Sequence, residues 1–313
     1  MKLLKKIIKW FFLSIGIIVV VLFLIIFGFM KLSPQFGGKV SKTQQEKFEL
    51  LSNYEDGKFI NNEPFTIDTD FKSVVDMIKN AMTKTPHSSP EKAIDVQKFD
   101  LSQIQKNESA RVTWLGHSSF LIELDGKTIL IDPIFSEFAA PHRIMGKKRY
   151  NNEMSFDIDS LKQIDAVLIS HDHYDHLDYP TIKKIKDRVQ QVYVPLGVGN
   201  HFLRWGFDST KIQELDWWDE TTLGNIELAF TPSRHSSGRG ITDQSATLWG
   251  SWCLMGTQEK IFFSGDGGYG KHFAEIGQKY GPFNFGMIEC GQYDKHWTGM
   301  HMMPEESVQA GID

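Results

Sequence analysis

Residues 164–178 read IDAVLISHDHYDHLD, an apolar, β-branched run followed by three histidines and three aspartates within nine positions. The apolar run predicts a buried strand. The polar cluster starts where that strand stops, and loops held by a rigid sheet are where ligands and catalysts sit. His171 and His173, two positions apart, can turn toward one point from an extended segment. Asp175 and His176 follow across a turn and can face a second point about one metal–metal distance away. Imidazole nitrogens and carboxylate oxygens suit Zn²⁺, Fe or Mn²⁺. A polar surface loop rich in histidine is the plain alternative, but H-x-H-x-D-H directly after an apolar strand is far more specific than a lone histidine.

The two cysteines, Cys253 and Cys290, are too few for a disulfide framework or for Cys₄ and Cys₂His₂ zinc sites, so any metal must be held by His and carboxylates. A hydrophobic content of 41% supplies a core and excludes a disordered chain, and 313 residues allow one large domain or two ordinary ones. Residues 1–32 contain five lysines and no acid, against a net charge of −5 overall, so the remainder is acidic. That balance provides no basic face, and no nucleic-acid partner is expected.

Residues 10–30 carry no charge and are long enough to span a bilayer as a helix. A secretory signal is the rival reading, but its apolar core is shorter and ends at a small-residue cleavage site, whereas this run ends in FGFMKLSPQF. Residues 1–32 are therefore read as an uncleaved, single-pass membrane anchor. Four lysines precede the span and one follows, which predicts a cytoplasmic N-terminus and an extracytoplasmic catalytic domain. Residues 33–110 read as a linker with a lead-in helix. SPQFGG (33–38) predicts a short flexible exit, and 70–82 predicts a helix packed on the main domain or, alternatively, a lid or membrane-facing flap. TPHSSP (85–90) is a breaker, with His87 as a loop residue.

From residue 111 the pattern changes. RVTWL is a short strand, and SFLIEL and KTILID around Asp125-Gly126 form a hairpin signal. IDAVLIS, QVYVP, NIELAF, ATLWGSWCLM, KIFFSGD and FNFGMIEC predict further strands, with TIKKIKDRV and KHFAEIGQKY as helices between them. Strands with interspersed helices predict α/β layers over residues 111–313. Two metal sites need more than four ligands. His235 after NIELAF, Asp266 after KIFFS, and His301 before a helix start marked by Pro304, Glu305 and Glu306 all stand at element ends.

The chain resembles the metallo-β-lactamase superfamily, and within it the branch of N-acylphosphatidylethanolamine-hydrolysing phospholipase D and its bacterial relatives. The resemblance is carried by WLGHSS (114–119), LIDPIFS (130–136), AVLISHDHYDHLDY (166–179), VPLG (194–197), ELDWWDE (214–220), FTPSRH (230–235), LWGSW (248–252), FFSGDGGY (262–269), GPF (281–283) and HMMPEE (301–306). It implies an αββα sandwich with a dinuclear zinc site between the sheet edges. His171, His173 and His235 would hold one ion, Asp175, His176 and His301 the other, and Asp266 would bridge them. Asp266 and Asp175 are the candidate catalytic carboxylates, with Asp266 positioning the metals and accepting a proton. His117 and Asp132 lie in family motifs and are read as groups that orient ligands; Asp172 either does the same or packs the loop, and Tyr174 lies in that loop too, as a loop-packing or substrate-facing group. Gln292, Tyr293, His296 and Trp297 are candidates to line a substrate pocket, in a stretch (289–301) that differs from the animal lipase. Trp217 and Trp218 are read as core. The chain stops at Asp313, where the family domain continues with a strand carrying an HWG-type motif, so its C-terminal end reads as truncated. The implied activity is hydrolysis by a metal-activated hydroxide, of a phospholipid phosphodiester or else of a soluble ester, lactone or phosphodiester.

Overall fold

A computed structural model describes all residues except 1, 66–71, 73–74, 77–78, 80–82, 84–88, 102–108, 147, 152 and 292. The helix expected at 70–82, His87 and Gln292 fall wholly or mostly outside the described residues.

Two mixed sheets stack face to face. The first runs β3 (Arg111–Gly116), β4 (Ser119–Leu124), β5 (Lys127–Ile131), β6 (Ile164–Leu168), β7 (Val189–Pro195) and β8 (Ile212–Leu215), antiparallel as far as β5 and parallel beyond it. The second runs β13 (Phe285–Met287), β12 (Lys260–Phe263), β11 (Ser251–Met255), β10 (Ile226–Thr231) and β9 (Glu220–Leu223), with only β12–β13 parallel. Side chains alternate across each strand, so one sheet feeds two cores. Ile122, Ile129, Ala166 and Leu168 face Leu228, Phe230, Trp252 and Phe263 of the other sheet. Leu121, Leu130 and Val167 point outward to Ile182, Ile185 and Phe202 of the helices Tyr179–Ile185 and Gly199–Arg204. On the far side Cys253 and Phe262 meet Phe273 and Ile276 of the helix His272–Tyr280, and Ala310 of Pro304–Ile312. The layers are therefore helix, sheet, sheet, helix, as expected.

Three local expectations are corrected. The stretch 246–255 is a strand only over Ser251–Met255, because Leu248 N–H instead reaches across to Leu196 O at 2.9 Å. The helix expected at 181–189 yields at 186–188 to a tighter turn, which lets Val189 begin β7. Residues 33–65 are not a linker. Phe48, Tyr54 and Phe59, on the helix Lys42–Phe48 and the hairpin β1 (Tyr54–Glu55) and β2 (Lys58–Phe59), are buried in the inter-sheet core. Trp217 is core as expected, its indole N–H donating to Trp249 O at 2.6 Å, while Trp218 is half-buried against Tyr280.

The helix Lys2–Leu32 is exposed over residues 3–27 and is the one described helix long and apolar enough to cross a membrane. Its exit is not flexible. Arg204 donates to Gly37 O (2.5 Å), Lys31 O (3.1 Å) and Ser33 O (3.2 Å), Trp205 Nε1 to Pro34 O (2.8 Å), and Arg239 Nε to Gln35 O (2.8 Å). A Cβ on Gly37 would come 1.9 Å from His201 Nδ1, so the chain passes where only glycine fits.

His272 opens the helix His272–Tyr280 with its Nε2 buried and unpartnered. Burial pushes its pKa down to about 4 from an ordinary 6.5. Between those values the unfolded chain binds one more proton than the folded one, so stability falls as pH falls through that window. His272→Phe is expected to remove that slope, worth up to about 3 kcal/mol between pH 7 and pH 4. Urea unfolding in detergent micelles at several pH values checks it, and equal slopes in the two proteins would refute the assignment.

Candidate metal centre

Every side chain of the site stands where an element stops. His171 follows β6, Asp132 follows β5, His235 follows β10, Asp266 follows β12, and His301 precedes the helix Pro304–Ile312. These ends converge on one edge of the sandwich. Ligand atoms lie within 4.8 Å of one another in four overlapping groups: His171, His173 and His235; His117, Asp175 and His176; His171, His176 and Asp266; and His235, Asp266 and His301. All seven expected ligands are thus brought together. His301 groups with His235 and Asp266, the expected bridging carboxylate, and His117 groups with Asp175 and His176.

The nitrogens meet without enough protons to satisfy them. His171 Nε2 and His235 Nε2 lie 3.0 and 3.3 Å from the same His173 Nδ1. One Nδ1 can settle only one of those contacts as a hydrogen bond. His176 Nε2 is buried 3.2 Å from Asp266 Oδ2 without hydrogen-bond geometry. Converging imidazole nitrogens and a carboxylate are the donor set of a divalent metal of the zinc, iron or manganese type, and the residues fit such a group.

The titration behaviour divides the ligands. Burial, reinforced by His173, pushes His235 down to about 3, and burial with the neighbouring imidazoles takes His171 well below its ordinary value. Both are neutral at pH 7, with lone pairs free. Burial opposes charge on His176, but Asp266 and Asp132 outweigh it and raise its pKa well above the ordinary value. Burial would raise Asp266 and Asp175 too; His176 beside the first and the His117 hydrogen bond to the second win, and both stay ionised.

Partners behind the ligands fix their orientation. Asp132, fully buried, accepts from His176 Nδ1 at 2.7 Å, Ser170 N–H at 2.8 Å and Ser170 Oγ at 2.5 Å. Its φ of 41° and that of His117, 48°, are left-handed, a conformation Asp and His tolerate better than most residues. His117 Nε2 sits 3.2 Å from Asp175 Oδ2. Asp172 faces away from the ligands. It accepts from His201 Nε2 (3.0 Å), Gly238 N–H (2.6 Å) and Thr247 Oγ1 (2.8 Å), so it fastens the loop. Tyr174 is not in the pocket: its ring lies 4.1 Å under the Arg239 guanidinium and its hydroxyl donates to Arg239 O.

Four participants escaped the sequence reading. Asn61 clamps the His235 backbone, donating to its carbonyl at 2.8 Å and accepting its N–H at 3.0 Å. Arg239 donates to Asp172 O (2.6 Å) and Leu177 O (2.8 Å) across the metal loop. His201 pairs with Asp172. Glu289 accepts from His301 Nδ1 at 2.8 Å and from Met302 N–H at 3.0 Å, leaving His301 Nε2 for the site. Glu289 alone carried a signal, an acid directly after an apolar strand, the same rule that selects Asp266. Glu289→Gln is expected to weaken metal binding about 10–100-fold with the fold intact. Chelator-competition titration checks this, and unchanged affinity would remove Glu289 from the site.

The site opens into a cavity of about 2320 Å³ whose lining includes Trp114, His117, Asp175, Tyr293, His296 and Trp297. A separate hollow of about 730 Å³ near Phe156 and Lys184 contains none of the candidate ligands.

Comparison with known proteins agrees with this geometry. The chain is 36% identical over 271 residues to an uncharacterized protein of Mycobacterium tuberculosis, covering 85% of this chain and 71% of that one. It is 29% identical over 281 residues to N-acyl-phosphatidylethanolamine-hydrolyzing phospholipase D 1 of Caenorhabditis elegans, covering 83% and 79%. The solved isothiocyanate hydrolase from Delia radicum gut bacteria shares the fold at TM-score 0.50 and 19% identity, over 64% of this chain and 79% of that one. A family profile described as a beta-lactamase superfamily domain matches residues 127–311. That match spans more than half of the chain and contains all seven candidate ligands, so this chain belongs to the beta-lactamase superfamily and carries its metallo-hydrolase fold.

Proposed function

We propose that this protein is a membrane-anchored dinuclear zinc phosphodiesterase of phospholipase D type, acting on phospholipids like N-acylphosphatidylethanolamine. The observation that carries the reading is a cavity of about 2320 Å³ that reaches the ligand cluster at His117 and Asp175. Pockets for small ligands hold roughly 300–1,000 Å³, so this space suits a substrate with long chains. The nematode relative's name and the long apolar helix support the same reading.

His171, His173 and His235 would hold one zinc and Asp175 and His176 the second, with Asp266 between them and His117 and His301 completing the set. Zinc held there supplies Lewis acidity and lowers the pKa of a water toward neutrality. The chain's own contribution is placement. Asp132 and Glu289 fix the His176 and His301 rings through Nδ1. Asp266 and Asp175, ionised at pH 7, accept and relay the proton. Tyr293, His296 and Trp297 line the space for the headgroup, and His296 is held by Asp294 at 2.6 Å. The lysine distribution supports a cytoplasmic N-terminus with the catalytic domain on the opposite side.

The test is incubation of the full chain, in mixed micelles with zinc, with a whole-membrane lipid extract beside an Asp266→Ala control. Phosphatidic acid and N-acylethanolamine, detected by mass spectrometry only when Asp266 is intact, would support the lipase. An unchanged lipid profile alongside turnover of a soluble ester, lactone or phosphodiester would sink it.

A further inference from the structure

We propose that the loop tip 142–145 is a second membrane-contact element, which seats Ile144 and Met145 in the interfacial layer of the bilayer beside the mouth of the catalytic cavity. The proposal rests on the reading of Lys2–Leu32 as a membrane anchor.

The first argument is depth. The contacts of Arg204, Trp205 and Arg239 with residues 31–37 hold the end of the long helix against the domain. Phe29 lies inside the uncharged run 10–30, one half-turn before Lys31, and its ring meets the ring of His142 edge-on at 6.2 Å. A bilayer that covers the uncharged run must reach the level of Phe29, and so reaches the level of His142.

The second argument is composition and shape. Directly after His142 come Arg143, Ile144 and Met145, all exposed, with Ile144 at 82% and Met145 at 64%. Large apolar side chains this exposed, at a loop tip beside an apolar helix, match a lipid interface, and Arg143 directly before them matches phosphate headgroups. The loop is not loose. Met145 N–H donates to His142 O at 2.8 Å at the tip, Phe138 bridges to Lys148 at the base, and Lys148 pairs with Glu137 at 2.6 Å.

The third argument is its other side. Glu137, Ala139, Lys148, Arg149 and Tyr150 line the same cavity as His117 and Asp175. One short hairpin thus offers its tip to the bilayer level and its base to the catalytic space, so the cavity mouth sits where a lipid can leave the membrane without crossing water.

The experiment uses the full chain in phosphatidylcholine–phosphatidylglycerol vesicles, in a Cys290→Ser background that leaves only the buried Cys253. Single cysteines replacing Ile144, Met145, Val19 or Asp208 carry an environment-sensitive fluorophore. Labels at 144 and 145 are expected to be quenched by lipids bearing a shallow spin label and to be shielded several-fold from aqueous iodide relative to the label at 208. Iodide access at 144 and 145 equal to that at 208, with the label at 19 lipid-buried, would overturn the loop's role and leave the anchor standing. A water-exposed label at 19 would overturn the anchor, and the proposal with it.

Discussion

Asp266→Ala is expected to leave a folded chain whose turnover falls on the order of 10³-fold or more, because residues that act as one catalytic unit fail together. Asp266 belongs to two of the four ligand groups, one with His171 and His176 and one with His235 and His301. Removing it takes away the only carboxylate in either group. It also strips His176 of the charge that, with Asp132, holds its pKa up against burial. The fold should survive, since the Asp266 side chain is a loop group beyond β12 and is not in the apolar core. Metal content by mass spectrometry, turnover and circular dichroism together read the outcome. Full metal content with full activity would show that the carboxylate neither holds metal nor moves a proton.

Asp132→Ala is expected to destabilise the domain by about 3–5 kcal/mol, the usual cost of breaking a buried pair from one side. The carboxylate is wholly buried and takes three donors, His176 Nδ1 and both the N–H and hydroxyl of Ser170. Alanine would leave them facing no acceptor, and it would also have to hold φ at 41°, which an unbranched apolar residue resists. Asp132→Asn separates these effects. It keeps the backbone preference and the shape but removes the charge, so it should recover part of the stability while metal affinity stays about 10–100-fold low. Urea unfolding and metal titration of both variants decide it. A loss below about 1 kcal/mol for Asp132→Ala would mean that water or rearrangement replaces the carboxylate.

Three of the ligands were legible because each obeys a local rule: a polar residue just past the end of an apolar strand. His171, His235 and Asp266 need only the strand's length and its last residue to be found, and Asp132 is reached the same way through the family motif. The misreadings share one cause. SPQFGG has the composition of a flexible exit, but Arg204 and Arg239, more than 160 residues away in the chain, hold it still. Asn61 sits in polar sequence with no periodicity, and only tertiary pairing with His235 gives it a role. Tyr174, read as either loop-packing or substrate-facing, packs the loop, because the Arg239 guanidinium lies over its ring. The orientation of His301 was also hidden, because Glu289 fixes its ring through a contact across twelve positions that no spacing encodes.

The fastening of the long helix's exit has a practical corollary for where this chain can be cut. A protease or an engineer releasing the domain by cleaving before residue 31 would keep every acceptor that Arg204, Trp205 and Arg239 use. Cleavage after residue 38 would remove the five acceptors at residues 31–37 and leave the Nε of Arg239, a residue 3% exposed, without the Gln35 carbonyl it donates to. That same guanidinium grips the Asp172 and Leu177 carbonyls. The two soluble products would differ by eight residues of no catalytic chemistry, yet the longer one would keep a stiff metal loop and the shorter one would not.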